Sequence, residues 1–229
     1  ASGLIDIDLD CAEAVAFADL FLPETVASFG HEGNDRGHYL VAIKSSGKTR
    51  KFNMPDSSEC LVELRSDGSQ TMLPPSIHPS GHKLQFRYIN DSAPAVDYAD
   101  LLVATQRVAA CSVIARSWSE GSRHQLALAF AGMMYKADFD QDLAENVVNT
   151  ICNFTSDEEL DDRLNAVATT YAQDASSVSG YGIMVDILGV NTARKIAEWL
   201  DIGAINTDVI EAEDMSPAVF TVTNEDEIT

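Results

Sequence analysis

The run Gly3-Leu4-Ile5-Asp6-Ile7-Asp8-Leu9-Asp10 constrains the fold most. Leu4, Ile5, Ile7 and Leu9 are strand formers, so the run reads as a short buried β-strand. Alternate side chains of a strand share a face, which puts Asp6, Asp8 and Asp10 together on one side. Neighbouring carboxylates at the end of a buried strand repel one another and lose solvation. A chain tolerates that most readily where cations neutralise them, and hard oxygen ligands suit Mg²⁺ or Mn²⁺. The plainer alternative is a solvated strand end whose acids cap the next helix.

The 229 residues suffice for one large domain or two modest ones, with ordinary hydrophobic (45%) and charged (22%) content. No uninterrupted apolar run reaches the roughly 20 residues of a membrane span, so no membrane partner is expected. The chain starts without Met, has no signal-peptide pattern, and enters the Asp strand almost at once, as expected of a trimmed or fragmentary chain. Cys11, Cys60, Cys111 and Cys152 form no C-x-x-C pair, which argues against a zinc site or disulfide framework and for a reducing, cytoplasmic setting. The net charge of −21 is uneven: residues 138–229 hold 20 of the 36 acids and only 3 of the 15 bases. Residues 31–51 carry Arg36, Lys44, Lys48, Arg50 and Lys51 against Glu32 and Asp35. A phosphate-binding surface is therefore compatible with the first half of the chain.

Asp10 followed by Glu13 has the form of a capping box opening a helix over 11–21, which Pro23 ends. Strands are predicted at Thr25–Phe29 and His38–Lys44, joined by a loop over Gly30–Gly37. Ser45–Ser58 reads as a basic loop. Cys60–Arg65 and Gln70–Leu73 read as a hairpin turning at Asp67-Gly68, and Leu84–Ile89 as a last strand. Beyond Pro94 the pattern turns helical, with segments over 97–118, 122–136, 140–153, 156–172 and 191–201 and a capping box at Ser156/Glu159. About five helices suggest a bundle. Residues 204–229 read as an acidic linker or tail.

Further clusters bear on chemistry. Arg36-Gly37-His38 opens a strand with a cation and an imidazole, and Glu63 and Arg65 share a strand face. The rigid run Pro74-Pro75-Ser76-Ile77-His78-Pro79-Ser80-Gly81 fixes Ser76, His78 and backbone N–H groups in a way that suits an anion. Each also has a plain structural reading: a strand-start histidine, a same-face ion pair, a stiff corner. The order of these motifs resembles the bifunctional primase-polymerase (prim-pol) family of the archaeo-eukaryotic primase superfamily. The resemblance extends through Phe21-Leu22-Pro23, Phe29-Gly30 and Glu120-Gly121-Ser122-Arg123-His124 to Trp199-Leu200.

The resemblance implies an α+β fold, with an RRM-like catalytic sheet domain over 1–92, lacking the family's usual N-terminal segment, and a helical bundle over 93–203. It implies that Asp6, Asp8 and Glu63 are catalytic and bind two Mg²⁺ or Mn²⁺ ions. Arg36, His38, Arg65, Ser76 and His78 would contact the nucleotide. Ser122, Arg123 and His124, at a helix start, are candidates for the initiating nucleotide or template. The implied activity is template-directed joining of nucleoside triphosphates on single-stranded DNA, in replication of a phage or mobile element, with a fused or associated helicase. The alternatives are a non-catalytic module that docks a replication partner and a haloacid-dehalogenase-like phosphatase with Asp6 as nucleophile and Asp8 as general acid.

Overall fold

In a computed structural model, which describes residues 3–174, 177–178 and 180–202, β1 (Leu4–Leu9) lies inside a six-stranded sheet. The other strands are β2 (Ala27–His31), β3 (Asn34–Ala42), β4 (Arg50–Asn53), β5 (Cys60–Arg65) and β6 (Gln85–Ile89). The order is β4-β5-β1-β3-β2-β6, and every neighbouring pair is antiparallel. Seven helices complete the described residues: α1 (Ala12–Phe21), α2 (Tyr98–Arg116), α3 (Arg123–Lys136), α4 (Gln141–Thr155), α5 (Leu160–Tyr171), α6 (Tyr181–Leu188) and α7 (Val190–Trp199). The fold is α+β.

The alternation in β1 sorts the sheet into two unlike faces. Ile5, Ile7 and Leu9 are buried, as are Tyr39, Val41, Val62 and Leu64 on the flanking strands. Burying each aliphatic side chain is worth roughly 1.5–3 kcal/mol. α1 contributes Ala14, Phe17 and Ala18 to the same core, and α2 packs on α1, β4 and β5. That core continues without a break through the helices to Leu200. Arg116, at the end of α2, clamps the layers together by bonding Glu13 of α1 (Nε–Oε1 3.0 Å) and Glu59 ahead of β5 (2.7 Å).

Several sequence expectations are corrected. Glu32-Gly33 makes a tight turn, with Gly33 at φ +91°, so most of 30–37 is strand rather than loop. Residues 50–53, expected in a loop, form β4, whose side chains alternate too briefly to be read as a strand. Residues 70–73 form no strand, because Thr71 is drawn to Asp6 instead of pairing with β5. Neither capping box forms. Cys11 is the N-cap of α1, and Glu13 is occupied by Arg116. Ser156 adopts the left-handed conformation that closes α4 and cannot also open α5. Helix α6 was not foreseen. By length and composition α2 could cross a bilayer, although no apolar run signalled this; its apolar residues lie in the shared core. Residues 204–229 lie outside the described residues.

Candidate active site

The acids occupy the sheet face opposite α1. In register, Asp8 lies between His38 of β3 and Glu63 of β5, while Asp6 lies beside Arg65. Asp6, Asp8 and Glu63 are only 4%, 7% and 8% exposed. Strand pairing alone therefore gathers three carboxylates, an imidazole and a guanidinium from positions up to 59 apart.

Arg65 reaches all three acids: Asp8 in a close ion pair, Glu63 Oε2 at 3.0 Å from Nε, and Asp6 Oδ2 at 3.7 Å from Nη1. His38 Nδ1 lies 3.1 Å from Asp6 Oδ2 and 3.4 Å from Asp8 Oδ1. Thr71 donates its hydroxyl to Asp6 Oδ2 at 2.7 Å, and Lys51 Nζ approaches Glu63 Oε1 at 3.5 Å. Burial pushes the Asp8 carboxyl up to about 6, aided by Asp10 and Asp6 and opposed by His38 and Arg65. Burial disfavours the charged His38 ring, but its bond to Asp6 and the charges of Asp6 and Asp8 prevail and raise its pKa. Arg65 is likewise raised: burial opposes its charge, and Asp8, Glu63 and Asp6 outweigh it.

The cluster still lacks donors. Asp6 Oδ1 is buried with no hydrogen-bond partner, a costly state for a carboxylate oxygen. Three hard oxygen donors with one orphaned lobe suit a divalent cation. In the arrangement seen, no three acids or histidines among the described residues are spaced to enclose an ion, and Arg65 is the cation that joins them.

Beside the acids is a small second core of Ala27, Phe29, Leu40 and Leu84. Phe29 stacks flat on His38, with centroids 4.6 Å apart and planes at 11°, which fixes the ring. A cleft of about 490 Å³ opens here, bounded by Asp8, Asp10, His38, Arg65, Met72 and His78, with His31 also lining it. A second, of about 350 Å³, reaches Asp6, Arg65 and Thr71 from the other side.

Not every sequence candidate arrives. Arg36 turns away and is held by Asp19 of α1 and the Tyr39 hydroxyl. Ser76 acts through its backbone, its amide donating to Leu73 O and its carbonyl accepting from Leu84 N. Arg123 lies 3.6 Å from buried Asp157 and His124 bonds Asp162 at 2.7 Å, while Ser122 Oγ bonds Ser119. These three are not brought to the carboxylates, and the acids of the α4–α5 corner already fill the role expected of an anion. Thr71 is the site residue that the sequence does not announce, whereas Lys51 belongs to the basic stretch 31–51 and Phe29 to the Phe29-Gly30 motif. No local signal marks Thr71, whose partner is 65 residues away.

A buried acid cluster on the uncovered face of an antiparallel sheet, with an imidazole and a cleft beside it, has the makings of a site for phosphate chemistry. Residues 1–98 match the family model described as bifunctional DNA primase/polymerase, N-terminal. The matched stretch takes in all six strands, α1 and the start of α2, including Asp6, Asp8, His38, Glu63, Arg65 and His78. No curated protein and no solved structure matches the chain.

Proposed function

We propose that the sheet face carries out template-directed nucleotidyl transfer, extending a nucleic-acid strand from nucleoside triphosphates on single-stranded DNA with release of pyrophosphate. The observation that carries this reading is the orphaned Asp6 Oδ1 among Asp8, Glu63 and His38 at the edge of an open cleft. The strand order β5-β1-β3-β2, with α1 crossing between β1 and β2, supports an RRM-like sheet.

Asp6, Asp8 and Glu63 would hold two Mg²⁺ or Mn²⁺ ions, which supply charge neutralisation for the attacking hydroxyl and the leaving pyrophosphate. Thr71 fixes the orientation of Asp6. His38, held flat by Phe29 and biased toward its charged form, can donate to a phosphate oxygen in the cleft. Arg65 lines both cavities, so its guanidinium can exchange carboxylate partners for phosphate. Lys48, Arg50 and Lys51, on and before the edge strand β4, offer a basic surface to a template backbone.

Residues 1–92 are read as the catalytic unit and 93–203 as a helical accessory unit. A mobile-element or phage context, with a fused or separate helicase, belongs to the same reading. So does a reducing interior, which the four free cysteines support. The test is incorporation of labelled nucleotide on a single-stranded template with Mn²⁺ or Mg²⁺. Incorporation that Asp6→Asn abolishes would support the reading. No incorporation by the parent chain, or equal incorporation by the variant, would favour a non-catalytic docking module.

A further inference from the structure

Three of the five histidines in the chain line one cleft and a fourth, His82, lies beside His31, yet the catalytic reading uses only His38 and, through the family resemblance, His78. His31 closes β2 at the β2–β3 turn, while His78 and His82 belong to the proline-rich loop. The His31 and His78 rings stack with centroids 4.3 Å apart and planes at 25°, and His82 lies 5.8 Å from His31 at 14°. His31 and His78 line the 490 Å³ cleft that Asp8, His38 and Arg65 also line. The cleft thus has an acidic end on β1 and an imidazole end on the turn.

The ring hydrogen bonds point the same way. His31 Nδ1 donates to the Glu32 carbonyl at 2.7 Å, and His82 Nδ1 faces Glu32 Oε2 at 3.3 Å. His78 Nδ1 accepts from the Ser80 amide at 3.2 Å, which puts the proton of the neutral ring on Nε2. Each ring has spent its Nδ1, and among the described residues no Nε2 of the three has a protein partner. In the neutral state His78 alone offers an Nε2–H; once protonated, all three do. Burial and the neighbouring His31, His38 and His82 rings lower the His78 pKa. Arg36, the cation the sequence assigned to phosphate, is engaged elsewhere and leaves that role open.

We infer that His31, His78 and His82 form an anion subsite at the mouth of the cleft, taking the terminal phosphates of a nucleoside triphosphate. The inference rests on the proposed nucleotidyl transfer for its ligand and on the ring geometry for its site. Binding strengthens as pH falls, because two of the three Nε2 atoms become donors only on protonation. The other charged groups around the rings are Glu32 on the turn, the Asp35–Arg87 pair between β3 and β6, Lys83 on the loop, and Asp8, Asp10 and Arg65 across the cleft. Of these, Glu32 lies nearest, with its Oε2 3.3 Å from His82 Nδ1.

The test uses inorganic tripolyphosphate and the metal-free chain in the presence of a chelator, followed by NMR of the imidazole nitrogens. The resonances of His31, His78 and His82 should move, and that of His124, bonded to Asp162 among the helices, should not. Affinity should fall about tenfold or more between pH 6 and pH 8, and a His31→Gln/His78→Gln/His82→Gln variant should lose both the affinity and the pH dependence. In primer extension the variant should raise the KM for nucleotide more than it lowers kcat. Circular dichroism of the variant checks its fold. Movement confined to His38, equal binding by the variant, or the same resonances answering to single-stranded DNA but not to tripolyphosphate would overturn the inference. Because the binding assay needs neither nucleotide nor metal, a parent chain that binds tripolyphosphate yet polymerises nothing would sink the proposed function and leave the anion site standing. Polymerisation with unaltered tripolyphosphate binding by the variant would sink the inference alone.

Discussion

Two buried acid–arginine clusters divide the molecule, and they are built to opposite ends. In the helices, Asp157 is wholly engaged. Its Oδ2 accepts from Trp118 Nε1 at 2.8 Å and Arg163 Nε at 3.0 Å, and its Oδ1 accepts from the Glu159 amide at 3.1 Å with Arg123 at 3.6 Å. Burial opposes its charge, but these donors win and hold its pKa below the ordinary carboxylate range. On the sheet, three acids share Arg65, His38, Thr71 and Lys51; Asp8 is pushed up to about 6, and one oxygen of Asp6 has nothing. Saturation with donors marks a structural joint, whereas the shortage of donors on the sheet is what the proposed divalent-cation site would relieve.

The sharpest way to break this comparison is by activity. Glu63→Gln should leave the fold intact and reduce metal-dependent nucleotide incorporation by about a thousandfold or more, the scale of losing about 4 kcal/mol of transition-state stabilisation. A retained rate would remove Glu63 from the site.

Stability should respond the other way. Asp157→Asn removes the charge that Trp118 Nε1 and Arg163 Nε bond, while Arg163 keeps Glu159 and Asp162, and should cost about 1.5–3 kcal/mol in urea unfolding at pH 7. A group with a depressed folded-state pKa stabilises above its unfolded pKa, so this penalty should shrink as pH falls below about 4. Asp8 carries the opposite sign: its folded-state pKa is raised, so ionising it between pH 4 and pH 6 lowers stability. In metal-free buffer Asp8→Asn should therefore gain on the parent chain as pH rises through that window. Equal losses at both positions would erase the distinction.

A third measurement is the melting temperature with Mn²⁺. Binding to the folded state alone adds about 2.7 kcal/mol at a hundred times the dissociation constant. The rise should be present in the parent chain and smaller in Asp8→Asn. An identical rise in both would place the ion elsewhere.

The smallest expected effect concerns Arg123→Ala. Since Arg123 meets Asp157 at 3.6 Å and leaves its own Nε buried without a partner, primer synthesis from scratch and primer extension should fall modestly and together. A selective loss of synthesis from scratch would restore the initiating-nucleotide role that the family resemblance implies.

What could be read without coordinates depended on period and spacing. The two-residue period of Leu4–Leu9 fixed which aspartates share a face, and 3.6-residue spacing located α2, α3, α4, α5 and α7 to within a few residues. The motif order pointed to the same family whose model matches residues 1–98. What could not be read depended on partners distant in sequence. β4 exists because it pairs with β5, Arg36 is lost to Asp19 because α1 passes beneath it, and Thr71 reaches Asp6 because the loop after β5 folds back. Only the register of β1 between β3 and β5 decided that Arg65 should bridge all three acids and still leave Asp6 Oδ1 unpaired. Periodicity is a property of neighbours along the chain, and the donor shortage that distinguishes this site is a property of neighbours in space.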